Sequence, residues 1–279
     1  MNKTFRAILI LGVALGLGAL ILINKAQAVN SVNFFWRAED TTLDGTHDFS
    51  AGDTTAELQS TAVIDPGAAF IGTNGLDIPS SADNARFDIT SGDLIDVDTG
   101  AIAFWFRLIT FSGGTLFNAL QVANGAHNIT IFPIGTDDAT GREISFRVRR
   151  GGGLNVSIST TDADLALNTW YAVVARYDEP NSDMRIEIYN DDGSLRGTPA
   201  EDLNTNFDQP GALDRLNIGE ASGTASDRHM DNIFIADDYN EPLEDKLFIT
   251  SWTEYESSAA TTPIKIRGGV GVRGGVNFR

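Results

Sequence analysis

Thr169–Asp178 reads TWYAVVARYD, a Glu-Pro-Asn-Ser turn follows at Glu179–Ser182, and Met184–Gly193 reads MRIEIYNDDG. Both runs are β-branched and aromatic, the composition of strands. The Asp192-Gly193 pair closes the second run with a tight turn. The stretch is therefore strand, turn, strand and tight turn, which pairs neighbours antiparallel. Two echoes flank it: GAIAFWFRLI at Gly100–Ile109 and HMDNIFIADDYNEPL at His229–Leu243. In the first echo Ile102, Phe104, Phe106 and Leu108 share one face of a strand, and Ala103, Trp105 and Arg107 share the other.

Short strands continue in both directions. Val32–Arg37 predicts a first strand, and the polar Thr41–Thr55 stretch a long loop. Glu57–Ile64, Ala68–Ile71 and Leu76–Ile78 follow, then Ile102–Ile109, Thr115–Val122, Asn128–Ile134, Glu143–Arg149 and Asn155–Ser159. After the hairpin come Leu213–Ile218, His229–Ala236 and a last strand at Leu247–Tyr255. Gly-rich or Asp-rich turns separate them, and no helical period is sustained outside the leader. Many short strands at regular spacing predict an all-β, two-sheet antiparallel sandwich.

The order of these strings resembles the laminin-G-like, concanavalin-A-like lectin/glucanase jelly roll. The strings are FWFR, WYAVVARYD, IEIYNDDG, LNIGE and MDNIFIADD, preceded by GAAFIGTNGLDIPSSADNARFDI from Gly67. The resemblance spans Ala68–Leu247. It implies a jelly roll that commonly holds one Ca²⁺ through a late-strand Asp and carbonyls of early loops. Asp231 falls on that position, so the resemblance implies a structural calcium site there; the alternative is an Asp that bonds backbone amides at a strand entry. Asp237 and Asp238 are weaker candidates. The resemblance also carries a test for hydrolysis. The glucanases keep E-x-D-x-x-E or E-x-D-x-E on one strand, which sets two carboxylates on one face. Here the nearest string is Glu187-Ile188-Tyr189-Asn190-Asp191-Asp192, with Tyr189 in place of the middle Asp. The match fails, Glu187 and Asp191 read as structural, and no catalytic residue is assigned.

Other chemistry is missing too. His47, His127 and His229 are scattered, with no His-x-His spacing, and no Gly-x-Ser-x-Gly elbow occurs. Gly151-Gly152-Gly153 joins two strands and opens no helix, so it is not a phosphate loop. There is no cysteine, hence no disulfide and no thiol chemistry.

The net charge is −18. Residues 1–28 add Lys3, Arg6 and Lys25, and residues 263–279 add Lys265, Arg267, Arg273 and Arg279, so the middle of the chain carries about −25. That excludes nucleic acid as a partner of the main domain. Residues 1–28 have a basic start, an apolar run from Ala7 to Ile23 and an Ala26-Gln27-Ala28 cleavage site, the pattern of an export signal. It is either cleaved or kept as a single-span anchor, and only the second would tie the protein to a membrane; in both cases the sandwich is exported, to the medium or the cell surface. The domain plan is leader (1–28), jelly-roll sandwich (29–256), then linker and tail (257–279). The tail repeats Arg-Gly-Gly-Val at Arg267–Val270 and Arg273–Val276. It is either a flexible terminus or a docking segment that grips another chain, as in self-association, a surface or an acidic polymer.

Five residues stand out as ligand-binding candidates. Trp105 and Arg107 lie opposite a Phe face, Arg147 and Arg149 lie opposite Phe146 and Val148, and Arg176 lies in the hairpin. On one sheet they would make an aromatic and Arg-rich surface for carboxylated or sulfated glycans. The alternative is solvated strand positions paired with acids. Trp36, Trp170 and Trp252 read as core. The leading function is an exported, non-catalytic module that recognises carbohydrate or another cell-surface polymer. The alternatives are a structural subunit of a surface layer, filament or virion joined through the tail, and a divergent glycoside hydrolase.

Overall fold

The computed structural model describes residues 32–46, 55–80, 83–88, 99–111, 115–120, 128–135, 141–149, 155–203, 213–219 and 227–249. The leader, the basic tail, His47, His127, Gly151–Gly153 and Trp252 lie outside the described residues.

The strands, in chain order, are β1 (Val32–Trp36), β2 (Gly45–Thr46), β3 (Glu57–Gln59), β4 (Val63–Asp65), β5 (Gly75–Ile78), β6 (Asn84–Asp88), β7 (Thr99–Leu108) and β8 (Phe117–Leu120). Then come β9 (Asn128–Ile134), β10 (Glu143–Arg149), β11 (Asn155–Ser159), β12 (Trp170–Asp178), β13 (Asp183–Asn190), β14 (Leu195–Asp202), β15 (Arg215–Ile218) and β16 (Arg228–Ala236). Two single 3-10 turns, Pro66–Ala68 and Leu243–Asp245, are the only helical elements among the described residues. All strand pairs are antiparallel. They form a nine-stranded sheet, β14-β13-β12-β7-β16-β1-β2 with β5 and β4 beside β16, and a seven-stranded sheet, β11-β10-β9-β8-β15-β6-β3. The two sheets make the expected jelly-roll sandwich.

The hairpin pairs from Tyr171↔Asn190 down to Asp178↔Asp183. Asn190 N–H donates to Ser194 O (2.8 Å), and Gly193 takes φ +80°, which an L side chain resists. At the far end Tyr177 lies opposite Gly100, where a Cβ would sit 2.7 Å from the Tyr177 hydroxyl. Only glycine lets that ring cross the neighbouring strand.

Alternation then sorts side chains into two cores. Phe34, Trp36, Phe104, Phe106, Tyr177 and Ile186 of the nine-stranded sheet meet Phe87, Phe117, Ile131, Phe146 and Leu216 of the seven-stranded sheet in the main core. A second cluster sits on the other face of the nine-stranded sheet, where Phe35, Ala103, Trp105, Val174 and Phe234 are covered by Leu243, Leu247 and Ile249. So the nine-stranded sheet is buried on both faces along its middle. The outer face of the seven-stranded sheet has no such cover among the described residues.

Three expected elements differ. Glu57–Ile64 is two strands in different sheets, because the chain turns at Ser60–Thr61 and crosses from β3 to β4. Ala68–Ile71 is the end of a 3-10 turn and a bend, since Pro66 opens the turn and Asp65 caps it through Gly67 N–H (2.6 Å). Leu247–Ile249 packs as turns rather than strand, with residues 250–255 outside the described set. β2, inside the expected Thr41–Thr55 loop, β6 and β14 are strands that the sequence reading did not include.

Candidate functional site

The five sequence-selected residues do not share a sheet. Trp105, Arg107 and Arg176 belong to the nine-stranded sheet, and Arg147 and Arg149 to the seven-stranded one.

Trp105 is not a platform. It is fully buried, packed at a tilt against Phe70 (4.0 Å between ring centroids), and its indole N–H donates to Leu247 O (2.7 Å). It pins the 243–249 segment onto the sheet. Arg176 is also a correction: it is 6% exposed, it donates to Glu187 Oε2 (2.8 Å), and its other end pairs with Glu244. Arg107 donates to Gly67 O and to His229 Nδ1 (both 2.5 Å) and lies 5.0 Å over Trp170. Trp36 is core, as expected, whereas Trp170 is only half-buried.

Asp231 sits at a bulge of β16, where the register with β7 shifts. Its Oδ2 accepts from the Phe70 and Ile71 amides (2.8 Å each) and its Oδ1 from the Asn232 amide (2.8 Å). Burial pushes its carboxyl up to about 7 although these three donors pull the other way. A calcium shell is made of oxygen acceptors converging on the ion, and here N–H donors point at the carboxylate instead. The residues do not fit calcium; Asp231 anchors the 70–71 loop. Its neighbour Asn232 donates to Ile249 O (2.9 Å), which ties down the same C-terminal segment that Trp105 holds.

Asp77, Asp227 and His229 bring metal-type ligand atoms within 4.8 Å of one another. Arg107 fills that cluster with a cation of its own. Because guanidinium only donates, His229 Nδ1 is an acceptor, and Nε2 carries the proton and faces Asp77 Oδ1 at 3.5 Å. Burial and then the Arg107 charge hold His229 neutral, down to about 4.

Arg147 and Arg149 occupy a different setting. They are i, i+2 on β10, so both project from the outer face of the seven-stranded sheet. The register extends Arg147 into a polar row across the sheet: Ser157, Arg147, Thr130, Asn118, Asn217 and Arg86 lie opposite one another on successive strands. Thr130 and Asn217 are almost wholly buried in this row, and the Thr130 hydroxyl donates to Asn118 Oδ1 (3.3 Å). Phe132, on the same face of β9, carries the Arg147 guanidinium 5.1 Å over its ring. A parallel row sets Arg149 opposite Asn128.

The distinguishing feature is electrostatic. Other described arginines donate to a carboxylate or a backbone carbonyl: Arg86 and Arg215 to Asp88, Arg185 to Glu187, Arg196 to Ala163, Arg228 to Gly219. Neither Arg147 nor Arg149 has a hydrogen-bond or ion-pair partner among the described residues; Arg147 rests on Phe132 alone. Burial, then repulsion from Arg149, moves Arg147 below the ordinary arginine value. Arg147 Nε and Asn128 Oδ1 are buried without hydrogen-bond partners. In a chain of net charge −18, two neighbouring guanidiniums without a hydrogen-bond or ion-pair partner among the described residues are the exception.

Phe132, Thr130, Asn118 and Asn217 were not singled out by sequence. The signal was there: in Asn128–Ile134 the alternate residues Asn, Thr, Phe and Ile face away from the core residues Ile129 and Ile131.

No protein-family model and no curated protein matches this chain. Solved structures match by fold. A structure of botulinum neurotoxin type C, whose cell entry depends on interaction with two ganglioside molecules, aligns over 81% of this chain and 53% of its own, at 13% identity and TM-score 0.56. The binding domain of botulinum neurotoxin DC in complex with SialylT aligns over 78% and 52%, at 13% identity and TM-score 0.55. Domain 4 of an extracellular GH43 arabinanase from Geobacillus stearothermophilus, in complex with arabinotriose, aligns over 78% of this chain and 98% of its own, at 14% identity and TM-score 0.53. The chain spans about half the length of the neurotoxin chains it matches. At these identities the likeness is one of fold.

Proposed function

We propose that this chain is an exported, non-catalytic recognition module that binds acidic glycans of a cell surface or extracellular polymer. The ligand lies on the outer face of the seven-stranded sheet, with its carboxylate or sulfate on Arg147 and Arg149 and a sugar face on Phe132. The observation that carries this is the pair of guanidiniums without partners among the described residues, next to a half-buried aromatic ring and a row of amides and hydroxyls. Guanidinium forks match carboxylate and sulfate oxygens two at a time. The row supplies donors and acceptors for hydroxyls, and the ring supplies an apolar surface for C–H faces. That sugar-bound sandwiches stand among the structural neighbours, and that the hairpin string resembles the laminin-G-like group, support the choice of carbohydrate. Glu187 and Glu244, locked onto Arg176 on the other sheet, lack the separated acid and base of a hydrolase, which supports a binding role.

The test is a glycan-array screen of the exported chain with carboxylated, sulfated and neutral glycans. Binding restricted to the acidic sets, lost at least tenfold in Arg147→Ala/Arg149→Ala and partly kept in the Lys/Lys double variant, is expected. Equal binding of neutral and acidic glycans, or no effect of the double variant, would sink the proposal.

A further inference from the structure

The nine-stranded sheet carries a second site, unlike the first in charge. At one end of its outer face a cleft of about 510 Å³ opens between β12, β13, β14 and the 239–244 segment. Its floor is built by register: Arg176 on β12 faces Arg185 on β13, which faces Glu201 on β14. Glu187 spends both oxygens on that floor, one on Arg176 (2.8 Å) and one on Arg185 (2.6 Å), and Glu244 closes the line on Arg176. Two acids are left over. Asp183 has no side-chain partner among the described residues, and Glu201 reaches Arg185 only at 3.7 Å. Both line the cleft together with Tyr239, and after burial their charges are the largest causes that raise Tyr239 above its ordinary value. With Asp183, Glu187, Glu201 and Glu244 against Arg176 and Arg185, the cleft keeps an excess of negative charge at its Tyr239 wall.

We infer that this wall seats an arginine of the chain's own Arg-Gly-Gly-Val tail. A guanidinium on the Tyr239 ring gains a cation–π contact and finds Asp183 and Glu201 as acceptors at its edge. A bare ammonium gains less, because it cannot stack or fork. The tail has the matching chemistry. Residues 263–279 hold Lys265, Arg267, Arg273 and Arg279 and no acid, and each of Arg267 and Arg273 is followed by two glycines that leave room for close approach. It also starts in the right place. Glu244 lines the cleft, and the described chain runs on from there only to Ile249 on the same sheet face. From Ile249 to Arg267 the chain reaches ~60 Å when extended, ample for return. A tether of that length sets a millimolar effective concentration, so a weak single-arginine contact is enough to keep the tail seated.

Limited trypsin digestion of the full chain, followed by mass spectrometry, tests this, because trypsin cuts after Arg267 and Arg273. Cleavage there is expected to be at least tenfold faster in Asp183→Asn/Glu201→Gln and in Tyr239→Leu than in the wild type at low salt. Asp191→Asn, an exposed acid away from the cleft, keeps the slow rate. Excess synthetic peptide PIKIRGGVGVRGGVNFR should speed cleavage of the wild-type tail by displacing it. None of these substitutions touches the Arg176–Glu187 pair, and urea unfolding confirms that each variant is folded. Equal cleavage rates in wild type and cleft variants would overturn the inference. So would protection that rises with protein concentration, which places the tail on a second copy. The glycan proposal is independent: Arg147→Ala/Arg149→Ala leaves tail protection unchanged.

Discussion

The two sheets turn opposite kinds of surface outward. The nine-stranded sheet hides its middle under the 243–249 segment, with Trp105 and Asn232 as the pins, and matches Arg176 and Arg185 to glutamates. The seven-stranded sheet leaves Arg147, over Phe132, and Arg149 without a hydrogen-bond or ion-pair partner among the described residues. Both faces carry an aromatic ring and arginines, so residue type does not separate the Arg176 and Arg147 regions. Partnership does, as it also separates Arg147 from Arg86 and Arg215 on its own sheet, which pair with Asp88: a satisfied arginine contributes to the fold, and an unsatisfied one is available to a ligand. Substitutions on the first face should therefore cost stability and those on the second should cost binding.

The largest effect is expected from Trp105→Ala, which empties the second core and drops a buried hydrogen bond. It should destabilise by about 3–5 kcal/mol in urea unfolding. If this variant kept full stability and instead lost ligand, the two faces would have been assigned the wrong way round. Glu187→Gln comes next. It strips the charge between two arginines, one of them buried, and should cost about 3 kcal/mol by the same measurement. A loss below roughly 0.5 kcal/mol would put the ladder among ordinary surface pairs.

Asp231 sharpens the comparison through pH. Its carboxyl stands at about 7 in the folded protein, above its ordinary value of 3.8. Between those values the folded state holds a proton that the unfolded chain releases, so this group's contribution is fully present below the ordinary range and is lost as pH rises through 7. The stability difference between wild type and Asp231→Asn should accordingly be larger at pH 5 than at pH 8. A difference that is flat with pH would contradict the raised value. The smallest stability effect belongs to Arg147→Ala/Arg149→Ala, within about 0.5 kcal/mol of wild type, because no hydrogen-bond or ion-pair partner among the described residues is orphaned.

The fold was legible because alternation and turn chemistry agreed. The hairpin, β7, β9, β10, β12 and β13 follow from β-branched runs bounded by Gly and Asp. β14 was not legible: LRGTPAED has no alternation and contains Gly and Pro, which an exposed edge strand tolerates. The misreading of Trp105 has a physical source. Alternation says that two faces differ, but not that the second is wet. The run AIAFWF has no polar residue on either face until Arg107, and that continuity marks a strand buried on both sides. Arg147 and Arg149 were visible as outward residues, but that they are unpaired while Arg176 is not depends on which acids the topology brings near. Glu187 and Glu244 reach Arg176 from β13 and a distant turn, whereas among the described residues no acid pairs with Arg147 or Arg149, and Glu143, at the start of β10, accepts from Thr160 instead.

The most direct measurement is a calorimetric titration of the chain with an oligogalacturonate and with its methyl ester, in which the carboxylate charges are masked. Binding of the acid, at least tenfold weaker binding of the ester, and loss of that difference in Arg147→Ala/Arg149→Ala at unchanged stability are predicted. Equal affinity for the two oligosaccharides, or a difference that survives the double substitution, would contradict a glycan site built on the unpaired arginines.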